Sequence, residues 1–325
     1  MSMPYEPVHI GANESALQWQ SAMSRLRDTV AAIEQVILGK GPQVRLCLAC
    51  LLARGHLLIE DVPGVGKTTL AHALARVLGL EWSRLQFTSD MLPADIIGVS
   101  IFDRATQKFQ FRRGPLFTQL LLADEVNRAS PKAQSALLEA MEERQVSVDG
   151  VTYALPEPFF VVATQNPHEQ IGTYGLPESQ LDRFLMRVSL GYPDPASERR
   201  VLLQGERREL LLEMPAVLSG AEVLALQRQA RGVHVASVML DYVQAVVARS
   251  RVELRLGLSP RAAQGLLRAA QAWALIEGES AVLPEHIQTV FPAIAAHRLE
   301  AREGDLSANG SDIADALIQA VPVPI

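Results

Sequence analysis

One short stretch of the chain has the residue types and the spacing that bind phosphate groups. Residues 60–68 read EDVPGVGKT and follow an apolar run directly. Gly64 and Gly66 let the backbone turn its N–H groups toward an anion, because neither has a Cβ that would obstruct the turn. A helix beginning near Lys67 would add the positive end of its dipole. Lys67 supplies a charge for the β- and γ-phosphates, and Thr68 supplies a hydroxyl for magnesium.

This phosphate loop departs from the usual pattern at its first position, where Asp61 stands in place of Gly. A Gly-x-Gly-Lys-Thr run alone is a moderate signal, so the rest of the chain has to support the interpretation. We expect the nucleotide to be contacted by the loop and the first helical turn. These residues are Val62, Pro63, Gly64, Val65, Gly66, Lys67, Thr68 and Thr69.

A second stretch ends in two acids. The continuous apolar run 120–123 leads into Asp124 and Glu125. A buried parallel strand delivers such carboxylates to the carboxyl edge of a sheet, where a phosphate loop also lies. Asp124 would then hold magnesium, directly or through water, and Glu125 would polarise the attacking water. The alternative is an apolar strand followed by a solvated acidic turn.

A third apolar stretch, 159–163, ends in the polar residues Thr164, Gln165 and Asn166. A strand that ends in amide side chains can orient a water molecule near a γ-phosphate. Because buried parallel strands end at the same edge of a sheet, we expect Asn166 to lie close to Lys67 and Asp124.

Two further features lie away from these strand ends. Residues 36–39 form a loop close in sequence to the phosphate loop. This 36–39 loop would pack on an adenine ring, or else it merely connects two helices. Arg261 lies in the first turn of a helix that Ser259 and Pro260 begin, where the helix dipole disfavours a cation. Its position suggests a phosphate partner, and the alternative is an exposed arginine.

The order of elements predicts an α/β unit followed by helices alone. We expect strands over 57–59, 83–88, 120–124, 159–166 and 184–190 and helices over 14–36, 43–54, 69–78 and 129–144. We also expect a hairpin within 89–114, on the alternating run 108–112, and a second hairpin over 146–155. After residue 196 the pattern predicts helices, one starting at the capping box of Ser219 and the others over 235–251, 260–276 and 284–302. The predicted domains are 1–194 and 195–325.

Composition narrows the class of protein. The 325 residues have a formal net charge of −6, which argues against sequence-independent coating of nucleic acid. The chain has no apolar run of about 18 residues and no secretory pattern at its start, so we expect a cytoplasmic protein without direct membrane insertion. Cys47 and Cys50 have the spacing of a redox pair or half a zinc site. They lie in an apolar helical run, which favours two buried thiols.

In combination, these motifs resemble those of the MoxR family of AAA+ ATPases over residues 36–270. The matching segments are 60–68 (EDVPGVGKT), 113–115 (RGP), 124–128 (DEVNR), 163–167 (ATQNP), 176–184 (LPESQLDRF) and 259–262 (SPRA). The resemblance implies an αβα sandwich with a five-stranded parallel sheet, followed by a small all-helical lid. It also implies that ATP and Mg²⁺ are bound, and Asp61 is not an obstacle because Asp occurs at this position in the family.

The resemblance implies a role for each residue of the phosphate-loop edge. Lys67 and Thr68 match the Walker A motif, with Thr68 also a metal ligand. Asp124, the second metal ligand, and the catalytic Glu125 match Walker B. Asn166 matches sensor 1. Apart from the resemblance, Gly39 at the end of the 36–39 loop is expected to contact the nucleotide.

The resemblance implies that two catalytic arginines act together with this edge. Arg261 matches sensor 2 on the lid. Arg183 matches the arginine finger that reaches the ATP of a neighbouring subunit, and Arg128 and Arg187 are rivals for that role.

Members of this family are remodelling ATPases that form rings, usually hexamers, which implies a homo-oligomer. The resemblance further implies a von Willebrand factor A-domain partner and a part in metal insertion or in the maturation of enzyme complexes. The client is not identified by the sequence. Two other classes stay open: an ATP-dependent nucleic-acid motor, although nucleic acid is not the favoured partner, and a small-molecule kinase, whose ATPase would not depend on protein concentration.

Overall fold

The computed structural model of the chain describes residues 12–167, 172–204, 208–302 and 309–324. A five-stranded sheet forms its centre, with the spatial order β2-β5-β8-β1-β9 and parallel pairing throughout. Its strands are β1 Leu57–Glu60, β2 Trp82–Gln86, β5 Leu120–Asp124, β8 Phe160–Gln165 and β9 Met186–Val188. The predicted five-stranded parallel sheet is therefore confirmed.

The pairing register brings the ends of the predicted strands together. Leu57 pairs with Val162 and Leu122 also pairs with Val162, so β8 lies between β1 and β5. The apolar residues of β5 are fully buried, as expected for a strand covered on both faces. The phosphate loop and the ends of β5 and β8 consequently share the carboxyl edge of the sheet.

Two antiparallel hairpins project from the α/β unit. They consist of β3 Gly98–Asp103 with β4 Lys108–Arg113, and β6 Gln145–Val148 with β7 Val151–Ala154. Both lie where alternating residues and turn signals predicted hairpins. The two hairpins touch, because Phe111 stacks on Tyr153 with ring centroids 4.4 Å apart.

Helices cover the sheet and form the rest of the chain. Their bounds are α1 Ala12–Glu34, α2 Gly41–Leu52, α3 Lys67–Val77, α4 Pro93–Ile97, α5 Pro131–Glu143, α6 Glu178–Leu181, α7 Pro195–Gln204, α8 Arg208–Glu213, α9 Gly220–Gly232, α10 Ser237–Glu253, α11 Pro260–Glu277, α12 Pro284–Ala295 and α13 Gly310–Gln319. Ser130, Ser219 and Ser259 cap α5, α9 and α11 by accepting a backbone N–H three residues on.

Two expectations about the lid were incomplete. The helix predicted over 284–302 is too long, because α12 ends at Ala295 and Glu300 pairs instead with the backbone of Leu256. Helix α13 was missed by sequence reasoning, although Asn309 begins it by accepting the N–H groups of Ser311 and Asp312.

The sheet has a separate core on each face. Leu57 and Ile59 point to one face, where they join α1, α2, α3 and the lid helices, α8 to α13, in a single hydrophobic cluster. Leu58 points to the other face and joins the cluster built on α5. The lid helices thus pack into the same core as α1 and α2, and helices on both faces of the sheet form an αβα sandwich.

Cys47 and Cys50 are free, fully buried thiols within α2. Burial raises the pKa of Cys47 to about 12, and it raises that of Cys50 as well. None of the helices in the described ranges combines the length and the apolar character that a membrane crossing requires.

Candidate functional site

The phosphate loop connects the end of β1 to the start of α3. Gly64 and Gly66 have φ angles of +87° and +96°, a region that side chains disfavour, and the space around both is open. Lys67 begins the helix, and its Nζ donates to the carbonyl oxygen of Asp61 at 2.5 Å. The backbone conformation and the lysine therefore fit the binding of phosphate groups at a helix N-terminus.

Asp61 ties this loop to the end of the neighbouring strand. Its Oδ2 accepts the N–H groups of Leu190 and Gly191, each at 2.7 Å, and the hydroxyl of Ser189 at 3.0 Å. Its Oδ1 accepts the N–H of Val62 at 2.8 Å. Burial raises the pKa of Asp61, but these hydrogen bonds outweigh it and the pKa lies below its usual value. The unusual acid thus fixes the start of the loop against residues 189–191.

Asp124 and Glu125 lie at the end of β5, beside the loop. Thr164 on β8 connects them, because its hydroxyl donates to Asp124 Oδ1 at 2.5 Å and accepts the N–H of Glu125 at 3.0 Å. Glu125 has a φ of +57°, an uncommon conformation for a non-glycine residue that often marks functional sites. Its carboxylate pairs with Arg128 at 2.8 Å.

Arg84 is a member of this site that sequence reasoning missed. It lies on β2 and donates to Asp124 Oδ2 from Nη2 at 2.7 Å and from Nε at 3.2 Å. The available signal was an arginine near the start of the strand predicted over 83–88. A cation at Asp124 would therefore compete with Arg84.

The oxygen donors at this edge fit magnesium. Thr68 offers a hydroxyl and Asp124 a carboxylate, the ligand types that Mg²⁺ uses together with substrate phosphates. Within the described ranges no three His, Cys, Asp or Glu side chains form a metal cluster, so these two residues would share the ion with phosphate oxygens.

Asn166 is buried just beyond the end of β8. The preceding Gln165 donates to Glu60 Oε1 at 2.8 Å, and Arg187 on β9 donates to Glu60 Oε2 at 2.7 Å. This chain of polar contacts crosses from β8 through β1 to β9 at the carboxyl edge. It places Arg187, like Arg128, on the same side of the sheet as the phosphate loop.

Gly39 lies in the turn between α1 and α2, with a φ of +69°. A Cβ there would stand 2.5 Å from Asp194 Oδ2 and from Ser197 Oγ, at the start of α7. Lys40 next to it donates to the carbonyl oxygen of Tyr192 at 2.7 Å. The turn therefore packs against the segment that follows the residues bound by Asp61, although whether it contacts an adenine ring stays a prediction.

Arg183 and Arg261 lie at the opposite edge of the sheet from Lys67. Both pair with Glu142, at 3.0 and 2.9 Å, near the end of α5, which runs back from the carboxyl edge. They line one cavity together with His56, which precedes β1. Since β1 has four residues, roughly 13 Å of strand separates the two edges. One chain therefore brings the two arginines together but does not bring either to its own phosphate loop.

Arg298 holds the segment that contains Arg183, and sequence reasoning missed it. Its side chain is almost fully buried and pairs with Asp182 at 2.7 Å. It also donates to the carbonyl oxygens of Phe184 and Leu185, at 2.5 and 3.2 Å. A buried arginine with these partners ties the loop before β9 to the segment that follows α12, and so it positions Arg183.

Two family models match the chain. The model described as "ATPase family associated with various cellular activities (AAA)" matches residues 56–186, and that of the AAA lid domain matches residues 247–317. The first match contains the phosphate loop, Asp124, Glu125, Asn166 and Arg183. The second begins within α10 and contains Arg261.

Similar proteins match over nearly the whole chain. The uncharacterized protein YeaC of Bacillus subtilis is 44% identical over 92% of this chain and 95% of its own length. The chaperone MoxR1 of Mycobacterium tuberculosis is 39% identical over 90% of this chain and 80% of its own. A crystal structure from Cytophaga hutchinsonii, assigned as an ATPase, superposes with a TM-score of 0.87 at 32% identity, covering 96% of this chain and 99% of that one.

Proposed function

Since the chain belongs to the MoxR family of AAA ATPases, we propose that it hydrolyses ATP at interfaces between its own subunits and uses the energy to remodel client proteins. The observation that carries this proposal is the separation of the catalytic groups onto two edges of one sheet. Lys67 and Glu125 occupy one edge, and Arg183 and Arg261 occupy the other.

The carboxyl edge would bind the nucleotide and activate water. Lys67 and the loop amides would hold the phosphates, and Thr68 with Asp124 would hold magnesium. Magnesium supplies charge neutralisation on the β- and γ-phosphate oxygens. Glu125 would accept a proton from the water that attacks the γ-phosphorus, while Asn166 orients that water. The bond from the γ-phosphorus to the bridging oxygen breaks, and ADP and phosphate leave.

The developing charge on the transferred phosphoryl group needs a further cation. We propose Arg183 as that cation, acting on the nucleotide of the next subunit, with Arg261 beside it. Two different edges that meet in this way form a head-to-tail interface, which generates a closed ring when the rotation closes. Six subunits are proposed from the resemblance to the family.

Arg128 and Arg187 fit this role less well. Each is paired with a carboxylate of the carboxyl edge, Arg128 with Glu125 and Arg187 with Glu60. Arg187 also donates to the carbonyl oxygen of Ala296, at 3.2 Å. Their contacts favour structural roles within one subunit.

Two observations support the proposal that this protein acts on client proteins. The relative MoxR1 is named a chaperone, and two hairpins project from the α/β unit. The β3–β4 hairpin exposes Phe102 and Phe109, which pack edge to face with centroids 5.3 Å apart. Exposed aromatic residues of this kind suit transient contact with apolar segments of a client. A von Willebrand factor A-domain partner and a part in metal insertion or complex maturation belong to the same proposal.

Mixing two inactive variants tests the interface. Arg183→Ala and Glu125→Gln are each expected to have little ATPase activity alone. In a mixed ring, some interfaces combine an intact Glu125 from one subunit with an intact Arg183 from the next, so activity should reappear. Steady-state phosphate release, with native mass spectrometry to establish mixed rings, measures this.

The controls separate assembly from chemistry. A mixture of Arg183→Ala with Lys67→Ala/Glu125→Gln, in which the double variant lacks two groups of the same edge, should regain activity as well, since its Arg183 is intact. A mixture of Lys67→Ala with Glu125→Gln should regain none, because both lesions lie in the same half-site. If Arg183→Ala and Glu125→Gln form mixed rings that recover no activity, Arg183 does not act on the nucleotide of a neighbouring subunit.

A further inference from the structure

A cavity of about 490 Å³ lies between the α/β unit and the lid, at the amino edge of the sheet. Seven arginines and two acids line it, with Arg183, Arg261 and Arg298 beside Glu142 and Asp182. The other four are Arg54 at the end of α2, Arg144 at the end of α5, Arg231 at the end of α9 and Arg268 on α11. We call these four the arginine pocket.

The acids of the cavity do not neutralise the arginine pocket. Glu142 pairs with Arg183 and Arg261, and Asp182 pairs with Arg298. Arg54 has a long contact, 3.4 Å, with the more exposed Glu157. Among the described residues, no carboxylate forms an ion pair with Arg144, Arg231 or Arg268.

The three helix ends at the pocket offset only part of its charge. Arg144 Nη2 donates to the carbonyl oxygen of Arg54 at 3.1 Å, which helps to cap α2. A helix C-terminus is equivalent to about half an elementary negative charge, so three ends contribute less than two charges. Even with Glu157 included, an excess of positive charge is left for four guanidinium groups.

Two observations indicate that this excess positive charge destabilises the charged forms of the arginines. The Nε of Arg268 is buried and has no hydrogen-bond partner among the described residues. The pKa values of Arg144 and Arg268 are lowered, first by burial and then mainly by the neighbouring arginines. A buried donor without an acceptor is unfavourable, and an anion would supply the acceptor.

We propose that the arginine pocket binds a compact polyphosphate anion, either free pyrophosphate or the diphosphate of a nucleotide. Planar guanidinium groups bind phosphate oxygens through paired N–H donors, which suits a cavity lined by several of them. Arg54 and Arg144 belong to the α/β unit, whereas Arg231 and Arg268 belong to the lid. A bound anion would bridge the two parts and hold the lid against the sheet.

This site differs from the catalytic one in two respects. It is complete within one subunit, whereas Arg183 and Arg261 act in the proposed function on the nucleotide of a neighbour. It also lies at the edge opposite Lys67, so a variant without that lysine keeps it. Binding to the arginine pocket can therefore be measured without ATP hydrolysis and independently of the proposed interface.

Titration calorimetry of Lys67→Ala with inorganic pyrophosphate, at low ionic strength, tests the proposal. We expect one site per chain. Adding Arg268→Gln should weaken binding about tenfold or more, the worth of one charge-assisted hydrogen bond. Arg228→Gln on the exposed side of α9 is the matched control and should leave the affinity unchanged. A parallel titration with ADP distinguishes free pyrophosphate from the diphosphate of a nucleotide. The anion that fits the pocket should bind more tightly and should lose more affinity in Arg268→Gln.

The same titration at a tenfold higher protein concentration should give the same affinity. Arg231→Gln, which changes an exposed side chain, replaces Arg268→Gln if that variant does not fold, as judged by circular dichroism. The proposal is overturned if Lys67→Ala shows no pyrophosphate binding. It is also overturned if adding Arg268→Gln and adding Arg228→Gln to Lys67→Ala leave equal affinities for pyrophosphate, or if pyrophosphate binds only when the subunits assemble.

Discussion

The carboxyl and amino edges of the central sheet are built in different ways. At the carboxyl edge, Lys67, Asp124 and Asn166 lie at or beyond the ends of buried strands, and Thr164 contacts both Asp124 and Glu125. At the amino edge, Arg183 and Arg261 come from a loop and a lid helix, and both pair with Glu142. In the proposed function, the first edge binds the nucleotide and activates water, and the second supplies cations to the nucleotide of a neighbour. The difference suggests that one subunit can bind nucleotide but needs a neighbour to hydrolyse it.

The largest expected effect comes from the amino edge. Arg183→Ala should lower ATP turnover by about 10³-fold or more, the range of an arginine finger, while nucleotide affinity changes little. Phosphate release and calorimetric ATP binding measure the two quantities. Arg228→Ala, which removes an exposed arginine of the lid, is the control. A large loss of ATP affinity in Arg183→Ala would place this residue in its own subunit's binding site and remove the distinction between the edges.

The next effect comes from the carboxyl edge. Glu125→Gln should bind ATP normally and hydrolyse it on the order of 10²–10⁴-fold more slowly, because the amide cannot accept the proton of water. Single-turnover measurements separate this chemical step from product release. Turnover at the wild-type rate would assign the base to another residue.

Lys67→Ala should weaken ATP binding as well as slow hydrolysis. Loss of one charged hydrogen bond to the phosphates corresponds to about 1.5–3 kcal/mol, or roughly 10–150-fold in ATP affinity. Calorimetry measures it, with Lys132→Ala on the exposed face of α5 as the control. Affinity equal to wild type would contradict the assigned phosphate loop.

Asp61→Ala tests whether the loop depends on its anchor. The N–H groups of Leu190 and Gly191 lose their acceptor, and we expect a loss of about 1–3 kcal/mol in the free energy of unfolding. Denaturant unfolding measures this. Asp103→Ala is the matched control, since Asp103 also accepts several hydrogen bonds but lies at the end of β3, beside the exposed β3–β4 turn. Equal stability of wild type and Asp61→Ala would mean that these contacts contribute nothing to the fold.

The last effect is a pH dependence of stability that arises at the amino edge and is absent at neutral pH. His56 is buried, Nδ1 accepts the N–H of Val161, and burial lowers its pKa to about 4. Between pH 6.5 and 4 the unfolded chain therefore binds a proton that the folded chain does not, so stability falls as the pH falls. Relative to pH 7.5, this residue should lower stability by about 2 kcal/mol at pH 5.

Urea unfolding at pH 7.5 and pH 5 measures that contribution. In His56→Gln the difference between the two pH values should be smaller than in wild type by this amount. His234→Gln, at an exposed position, should show the wild-type difference. An unchanged pH dependence in His56→Gln would show that other groups cause it.

Sequence patterns could predict the carboxyl edge because each of its residues ends an apolar run. Parallel strands place such ends together by geometry, so Lys67, Asp124, Glu125 and Asn166 could be grouped without a structure. Arg84 was missed because its contact with Asp124 depends on which strands are neighbours, and strand order is not written in a local pattern.

The amino edge depends on packing between distant elements. Arg144, Arg231 and Arg268 converge because α5, α9 and α11 meet there, and each alone looks like an ordinary arginine of a helix. Arg298 was assigned to a helix that continued to residue 302, whereas in the structure it lies beyond α12 and binds Asp182. For Arg183 only the resemblance to a family suggested a place in a site, whereas the position of Arg261 in the first turn of its helix had already suggested a phosphate partner.

The burial of both cysteines gives the chain a practical property for measuring its assembly. Cys47 and Cys50 are the two cysteines of the sequence, and their raised pKa values keep them as unreactive thiols. A maleimide reagent should therefore label the folded wild-type chain very slowly. A cysteine introduced at an exposed position, such as Arg228 on the lid or Phe109 on the hairpin, would then become the single reactive thiol. Fluorescent or cross-linking probes could be attached there without removing any native residue from the core.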